Sequence, residues 1–318
     1  MPAFSRFLKY FMAVGRHGSI RRAAEELNVA ASSIDRQILN AEAQLGMALF
    51  ERLPGGLRLS AAGEIMMAAG QRWQKGLDDV HTQIEDLRGL KRGHVEIAMI
   101  DALTKGLIPS IIRSVQSLYP GITVKLRVLD NDAVRLAISE GTVDFGIFFY
   151  PQSFRDISVK VCGDVVLGFV TPVGHPLGRK REARFSEAVG LKIVAPAEPL
   201  AMCDQISVLE GATGVALDRA VTSDNIQMMA SLVTEGVGIG ILTSLDVSTE
   251  VRRGLLEFTR ISDAILRPMT LALCTATNRT LSNAAGIILS EIESRFAQLT
   301  SPSGPNGMEP LAHHRTGS

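Results

Sequence analysis

Residues 19–46 read SIRRAAEELNVAASSIDRQILNAEAQLG. Ser19 is placed to cap a short helix, Ile20 to Leu27, whose Ala23, Ala24 and Leu27 form a small, apolar face. Asn28 then turns the chain, and Ile34, Ile38, Ala41 and Leu45 recur at helical spacing up to a stop at Gly46. Two short helices joined by so tight a turn have the geometry that sets the second into the major groove of double-stranded DNA.

Upstream, Phe4, Phe7, Leu8, Phe11 and Met12 stripe a first helix over residues 4–15. Downstream, LFERLPGGLRLS forms two strand-like runs about Pro54-Gly55-Gly56, a hairpin wing with Arg52 and Arg58 beside its tip. A long helix is expected from Ala61 to about Arg88. Met66, Gly70, Trp73, Leu77, Val80, Ile84 and Leu87 recur along it in steps of four and three, a heptad stripe suited to pairing with a second copy.

Beyond Gly93 strands and helices alternate: VEIAMI, a helix from Leu107 to Leu118, ITVKLRV, a helix from Ala133 to Glu140, then VDFGIFF. This order predicts a parallel α/β sheet. A second lobe starts near Val165 (VVLGFV) and ends with the strand Leu255 to Ile261. MTLALC and a helix from Ala284 to Ala297 return to the first lobe. Two lobes joined by two crossings leave a cleft at the carboxyl ends of the strands, where small molecules settle. The expected organisation is therefore α/β multidomain: a winged helix-turn-helix over 1–60, a linker and dimerisation helix over 61–92, and a two-lobed domain over 93–300. Lobe I takes about 93–164 and 267–300, lobe II about 165–266, and the Pro/Gly/Ser-rich stretch 301–318 reads as a disordered tail.

Composition fits this plan. The chain has 318 residues, 46% of them hydrophobic and 21% charged, with 33 basic against 33 acidic residues. Residues 1–92 carry 13 of the basic and 10 of the acidic ones, a modest excess in the DNA-reading part. Cys162, Cys203 and Cys274 are odd in number and widely spaced, which speaks for a reducing cytoplasm and against a disulfide framework or zinc site. The start lacks a charged segment leading into an apolar one, and the longest uncharged run, Val165 to Gly178, is broken by Pro and Gly, so neither export nor a membrane partner is expected.

The residues resemble the LysR-type transcription regulators over nearly the whole chain to about residue 300. The densest match is Ala23-Ala24, Leu27, Val29, Arg36-Gln37-Ile38, Glu42, Leu45-Gly46, Leu49-Phe50 and Arg52, continuing through Leu59, Ser60, Gly63 and Glu64. Further matches are Ile108-Pro109, Tyr119-Pro120, Gly141 with Asp144, His175-Pro176-Leu177 and Gly236-Val237-Gly238-Ile239. The resemblance implies a periplasmic-binding-protein-like effector domain and a homodimer through the linker helix, assembled into a homotetramer. It also implies a small-molecule effector between the lobes and regulation of promoters, with RNA polymerase a candidate partner. No cofactor is implied. Where the family commonly has Ser-Gln-Pro-Ala-Leu-Ser, this chain has Ala30-Ala31-Ser32-Ser33-Ile34-Asp35. Ser32 followed by Asp35 fits a capping box at the start of the third helix. Asp35 is then structural, or else it accepts a hydrogen bond from a cytosine amino group.

Arg36 and Gln37 are candidates for base edges, with solvated or phosphate-bound side chains as the alternative. Ser19, Arg22, Arg52, Arg58 and Ser60, with Ser32 and Ser33, are candidates for backbone contact. Asp101, Ala102, Leu103 and Thr104 follow the first strand of lobe I and, on this reading, open a helix able to meet an anion; the resemblance places effector contact here. Asn131 and Asp132, Phe149 and Tyr150, and Thr222, Ser223 and Asp224 are expected on the same cleft, each with capping or packing as its alternative. Asp101 and Asp224 add negative charge, which leaves a cationic or hydroxylated ligand open. Cys203 is a redox candidate only if a second thiol approaches it. GxSxG, HExxH and a Gly-Lys phosphate loop are absent, and Gly236 to Gly240 leads from helix to strand, the reverse of a dinucleotide site, so catalysis is not expected. The rival reading is a solute-binding protein without regulatory DNA binding.

Overall fold

The computed structural model describes residues 6–87, 92–150, 154–277 and 279–300, which fall into two compact units that part between His81 and Thr82. The stretch read as a disordered tail lies outside the described residues.

In the first unit, α1 (Arg6–His17) buries Leu8, Phe11, Met12 and Val14 against α2 (Ile20–Leu27) and α3 (Ala31–Leu45). Phe11 is fully buried, and its ring lies 5.2 Å from that of Phe50. Burying a side chain of this size stabilises by about 1.5–3 kcal/mol. Ser19 caps α2 by accepting from the Arg22 amide at 3.4 Å, and α2 ends on Asn28 in the left-handed region. The expected cap at Ser32 does not form. Extended backbone at Ala30 starts α3 before Ser32 is reached, no side chain caps it, and Asp35 turns toward Arg52 at 3.5 Å.

The wing consists of β1 (Phe50–Leu53) and β2 (Gly56–Leu59), paired antiparallel from Phe50 with Leu59 to Leu53 with Gly56. It is pinned to the turn before α2, where the Leu57 amide donates to the Gly18 carbonyl at 2.8 Å. Gly56 holds φ 137°, and a Cβ there would stand 2.6 Å from that same carbonyl. The long helix α4 (Ala61–Leu87) opens at Ser60, whose hydroxyl accepts from the Gly63 amide and donates to Ala48 O. Met66 packs on the core of this unit, and a Cβ on Gly70 would lie 3.1 Å from Leu8. Those two positions of the expected dimer stripe therefore serve the first unit itself. Farther along, Trp73, Val80 and Ile84 are 53%, 47% and 40% exposed, and Leu77 is half-buried. Leu87 lies outside the residues whose side chains are described.

The second unit holds two sheets. One runs in the order β4 (Ile122–Val128), β3 (Gly93–Met99), β5 (Phe145–Phe149), β13 (Met269–Ala276), β6 (Ile157–Val165). The other runs β10 (Asp218–Ser223), β9 (Lys192–Pro196), β11 (Ile239–Thr243), β7 (Leu167–Pro172), β12 (Leu256–Ile261), β8 (Glu182–Ala183). Both sheets are mixed, not parallel as expected. The parallel β3, β4 and β5 are joined by α5 (Leu107–Leu118) and α6 (Asn131–Ser139), whereas β13 enters between β5 and β6 antiparallel to each. Lobe II repeats the arrangement: α7 (Cys203–Thr213) and α8 (Ile226–Thr234) join the parallel β9, β10 and β11, and β11 pairs antiparallel with β7. VVLGFV is likewise not one strand. It breaks at Val166, where the chain leaves one sheet for the other and the Val166 carbonyl accepts from the Ser244 amide. The short α9 (Ser248–Arg252) follows β11; α10 (Asn283–Arg295) and α11 (Ala297–Thr300) close the first sheet.

A buried ion pair holds the returning segment in place. The Asp144 side chain is 1% exposed and receives Arg279 at 3.0 Å and the Glu96 amide at 2.8 Å, while Arg279 also donates to the carbonyls of Gly141 and Val143.

A Cβ on Gly63 would stand 2.1 Å from the Leu49 carbonyl, and that backbone cannot step aside cheaply. Gly63→Ala is expected to cost the first unit about 1–3 kcal/mol. Gly55→Ala, with nothing within 4 Å, is expected to stay within about 0.5 kcal/mol of the parent; circular-dichroism melts compare the two.

Candidate functional site

The outer face of α3 is polar and open. Ser32 and Arg36 are exposed, Ser33, Asp35 and Gln37 are half-buried, and Ile34 and Ile38 turn inward. The helix is braced from behind by Glu42, whose carboxylate accepts from the amides of Leu49 at 2.7 Å and Phe50 at 3.2 Å. Around this face the cations are partly engaged. Arg52 reaches Asp35, and Arg58 makes two bonds to Glu51 on the neighbouring strand, at 2.6 and 3.2 Å. That carboxylate raises the pKa of Arg58 further. Arg22 is exposed at the start of α2. Ser19 and Ser60 are spent as helix caps, so their hydroxyls orient backbone before they meet anything else. Behind them Glu26 is bonded to His17 and Arg16, which hold its carboxyl below the usual range.

In the second unit, the carboxyl ends of the parallel strands carry the expected cleft residues, and most are occupied locally. Asp101 to Leu103 form a single 3₁₀ turn and do not open a helix; α5 starts only after Gly106. Inside that turn the Thr104 amide and hydroxyl both donate to Asp101 O, so neither is presented to an anion. Ala102 and Leu103 are core residues. Asn131 clamps the end of β5, donating to Phe149 O and accepting from Phe149 N, both at 2.8 Å. Phe149 is buried, and the Tyr150 hydroxyl accepts from the Phe154 amide. Ser223 accepts from the Asn225 amide, while Asp132, Thr222 and Asp224 are exposed.

Residues not foreseen lie beside them. Lys105 reaches Glu250 on α9 at 2.6 Å, across 145 positions of sequence, from the lobe of the first sheet to that of the second. Asp246, at the end of β11, accepts from the Thr243 amide at 2.7 Å. Burial first, and then the nearby Asp101 charge, push the Asp246 carboxyl up to about 7. A small open cavity of about 170 Å³ at the end of β9 is lined by Pro196, Glu198, Cys203, Ser207 and Arg219, among others. Burial, reinforced by Glu198 and Asp204, raises the Cys203 thiol, which keeps it in the unreactive form. Burial likewise pushes Cys274 up to about 12. No group of three or more His, Cys, Asp or Glu among the described residues is placed to hold a metal ion. No described helix is long and apolar enough to cross a membrane.

Residues 5–64 match the model of the bacterial regulatory helix-turn-helix protein, lysR family, and residues 88–297 match the LysR substrate binding domain. The chain belongs to the LysR family. It is a transcriptional regulator with a helix-turn-helix DNA-binding unit and an effector-binding domain. It is 25% identical over 308 residues to the probable RuBisCO transcriptional regulator of Cyanophora paradoxa, covering 95% of this chain and 94% of that one. With the corresponding protein of Chlorokybus atmophyticus it shares 26% over 292 residues, 89% and 92% of the two chains. Among solved structures, a full-length OxyR variant of Pseudomonas aeruginosa matches with TM-score 0.68 at 20% identity, over 95% of this chain and 97% of that chain. CbnR in complex with its target DNA matches with TM-score 0.66 at 18% identity, over 91% and 98%. At such identities the two structures establish that the regulator shares their fold.

The Asp246 carboxyl sets a pH dependence on the regulator's stability. An unfolded aspartate ionises near its ordinary 3.8, whereas the folded one holds its proton to about 7, so the folded chain binds more protons between those values. Stability is therefore expected to fall, on the order of a few kcal/mol, as pH rises from 4 to 7. Asp246→Asn should flatten that slope in urea melts taken across the range; an unchanged slope assigns it to other groups.

Proposed function

We propose that this regulator binds operator DNA as a homodimer through residues 1–60, pairs along the linker helix 61–92, and holds a small-molecule effector between the lobes of residues 93–300. Lobe I takes about 93–164 and 267–300, and lobe II about 165–266. The carrying observation is the open polar face of α3, with Arg36 and Gln37 presented, Ile34 and Ile38 buried behind them, and the wing pinned beside it by Leu57 and Gly18. On this reading Arg36 and Gln37 reach base edges, and Asp35 trades its Arg52 partner for a cytosine amino group or stays with it. Ser32, Ser33, Arg22, Arg52 and Arg58 lie against phosphates, and Ser19 and Ser60 set the backbone that carries them. That CbnR, which shares this fold, was solved with its target DNA supports DNA as the partner.

Exposed Trp73, Val80 and Ile84 on one stripe of α4 support pairing, because large apolar side chains at this spacing gain from a second helix. A homotetramer of such dimers, a cytoplasmic location, an encounter with RNA polymerase and the absence of catalysis complete the reading. Relatives named as transcriptional regulators support it over a solute carrier.

Two measurements test it. In anisotropy titrations, Arg58→Ala should weaken all sequences alike and lower the salt slope by about 1, while Arg36→Ala should reduce discrimination between operator and scrambled DNA by about 1–3 kcal/mol. Loss confined to one sequence on removing Arg58 would contradict its phosphate role. In sedimentation runs, Trp73→Glu with Val80→Glu should shift the chain toward monomer; a dimer that persists unchanged places the interface elsewhere.

A further inference from the structure

Four buried oxygen atoms where the lobes meet have no hydrogen-bond partner among the described residues: Asp101 Oδ2, Asp246 Oδ1, Thr249 Oγ1 and Glu250 Oε2. They belong to two short segments, residues 101–106 of lobe I and 246–252 of lobe II. Lys105 bonds to Glu250 across that boundary, and a Cβ on Gly106 would lie 3.2 Å from both the Arg252 guanidinium and the Thr249 hydroxyl. Asp246 is 5% exposed and Glu250 9%. Each has committed one oxygen, Asp246 to the Thr243 amide and Glu250 to Lys105. An ionised carboxylate can only accept, and leaving it buried without donors costs several kcal/mol.

The charges around Asp246 do not cancel. Asp101 is the charge that acts on Asp246, Lys105 pairs with Glu250 and Arg252 stands beside Gly106, so the two segments together carry three carboxylates and two cations. Lys105 is already spent on Glu250, and Arg252 is exposed. What completes this set is a positively charged donor with several N–H groups. A primary ammonium group offers three, and three carboxylate oxygens lack a donor.

We propose that the effector of this regulator is an organic cation, with a primary ammonium or guanidinium group seated between Asp101 of lobe I and Asp246 and Glu250 of lobe II. The inference rests on the reading of the cleft as an effector site and adds the sign and chemistry of the ligand. One group bonded to both lobes stabilises the closed arrangement over any in which they part, which is the differential affinity an effector needs. A proton competes for the same place, because the Asp246 carboxyl titrates near neutrality, whereas an alkylamine, like a lysine side chain near 10.4, stays charged throughout. Binding is therefore expected to strengthen about tenfold between pH 6 and pH 8.

The test uses the full-length chain, with 1,5-diaminopentane and agmatine as cationic probes and glutarate as the anionic control, in calorimetric titrations at pH 6, 7 and 8. At least one cationic probe should bind, more tightly at higher pH, and glutarate should not. Asp246→Asn should weaken that binding at least tenfold and remove its pH dependence. Asp101→Asn, on the opposite lobe, should weaken it as well, so that a folding defect in one variant does not decide the matter. Cationic probes that bind neither parent nor variants, or bind all three alike, overturn the proposal. If glutarate then binds, the effector cleft stands and only the charge assignment fails. If no small molecule in a wider metabolite screen changes the regulator's melting or its operator complex, the effector reading fails with it.

Discussion

The buried pair between Asp144 and Arg279 fixes how the second unit is assembled. The two residues lie 135 positions apart, one just before β5 and the other just after β13, and together they answer the carbonyls of Gly141 and Val143 and the amide of Glu96. Breaking such a pair from one side typically costs about 3–5 kcal/mol, since the remaining charge stays buried. Because β13 is the strand that comes back from lobe II, this pair ties the returning segment to the start of β5 across the whole second lobe. Lobe II is thus an insertion within lobe I, and their meeting edge is where residues distant in sequence come together.

That topology explains the contrast between the two candidate sites. The head leaves Arg36 exposed and spends its carboxylates, Asp35 and Glu51, on neighbouring arginines. Exposed pairs of this kind contribute little to stability. Their physical effect is to hold the two guanidinium groups in place beside α3 and along the wing. The lobe junction does the opposite: it hides acceptors and leaves their donors missing.

Much of the head was legible in the sequence because a helix buries every third or fourth residue, and Leu8, Phe11, Ile34 and Ile38 keep that beat. The start of α3 was misread because SSID satisfies a local capping pattern, whereas tertiary packing begins the helix earlier and draws Asp35 to the wing. Strands β6 and β10 escaped notice for a different reason. Lys160 and Asp164 interrupt the first, and the second is an edge strand whose residues stay largely wet, so neither carries a clean apolar signature. Asp101, Asn131 and Phe149 stand at the ends of their strands, as the alternation of elements predicts, but their hydrogen bonds are internal. Asp246 and Glu250 gave no sequence signal, since their significance arises from Asp101 and Lys105, residues about 145 positions away in the chain.

The bond from the Leu57 amide to the Gly18 carbonyl joins main chain to main chain. The offset between the wing and the start of α2 is consequently set by peptide groups, and side chains bear on it at Gly56, where a Cβ would meet the Gly18 carbonyl. Exchange of Arg36 or Gln37 leaves that backbone bond untouched, so on the proposed reading the choice of base contacts evolves separately from the placement of the wing.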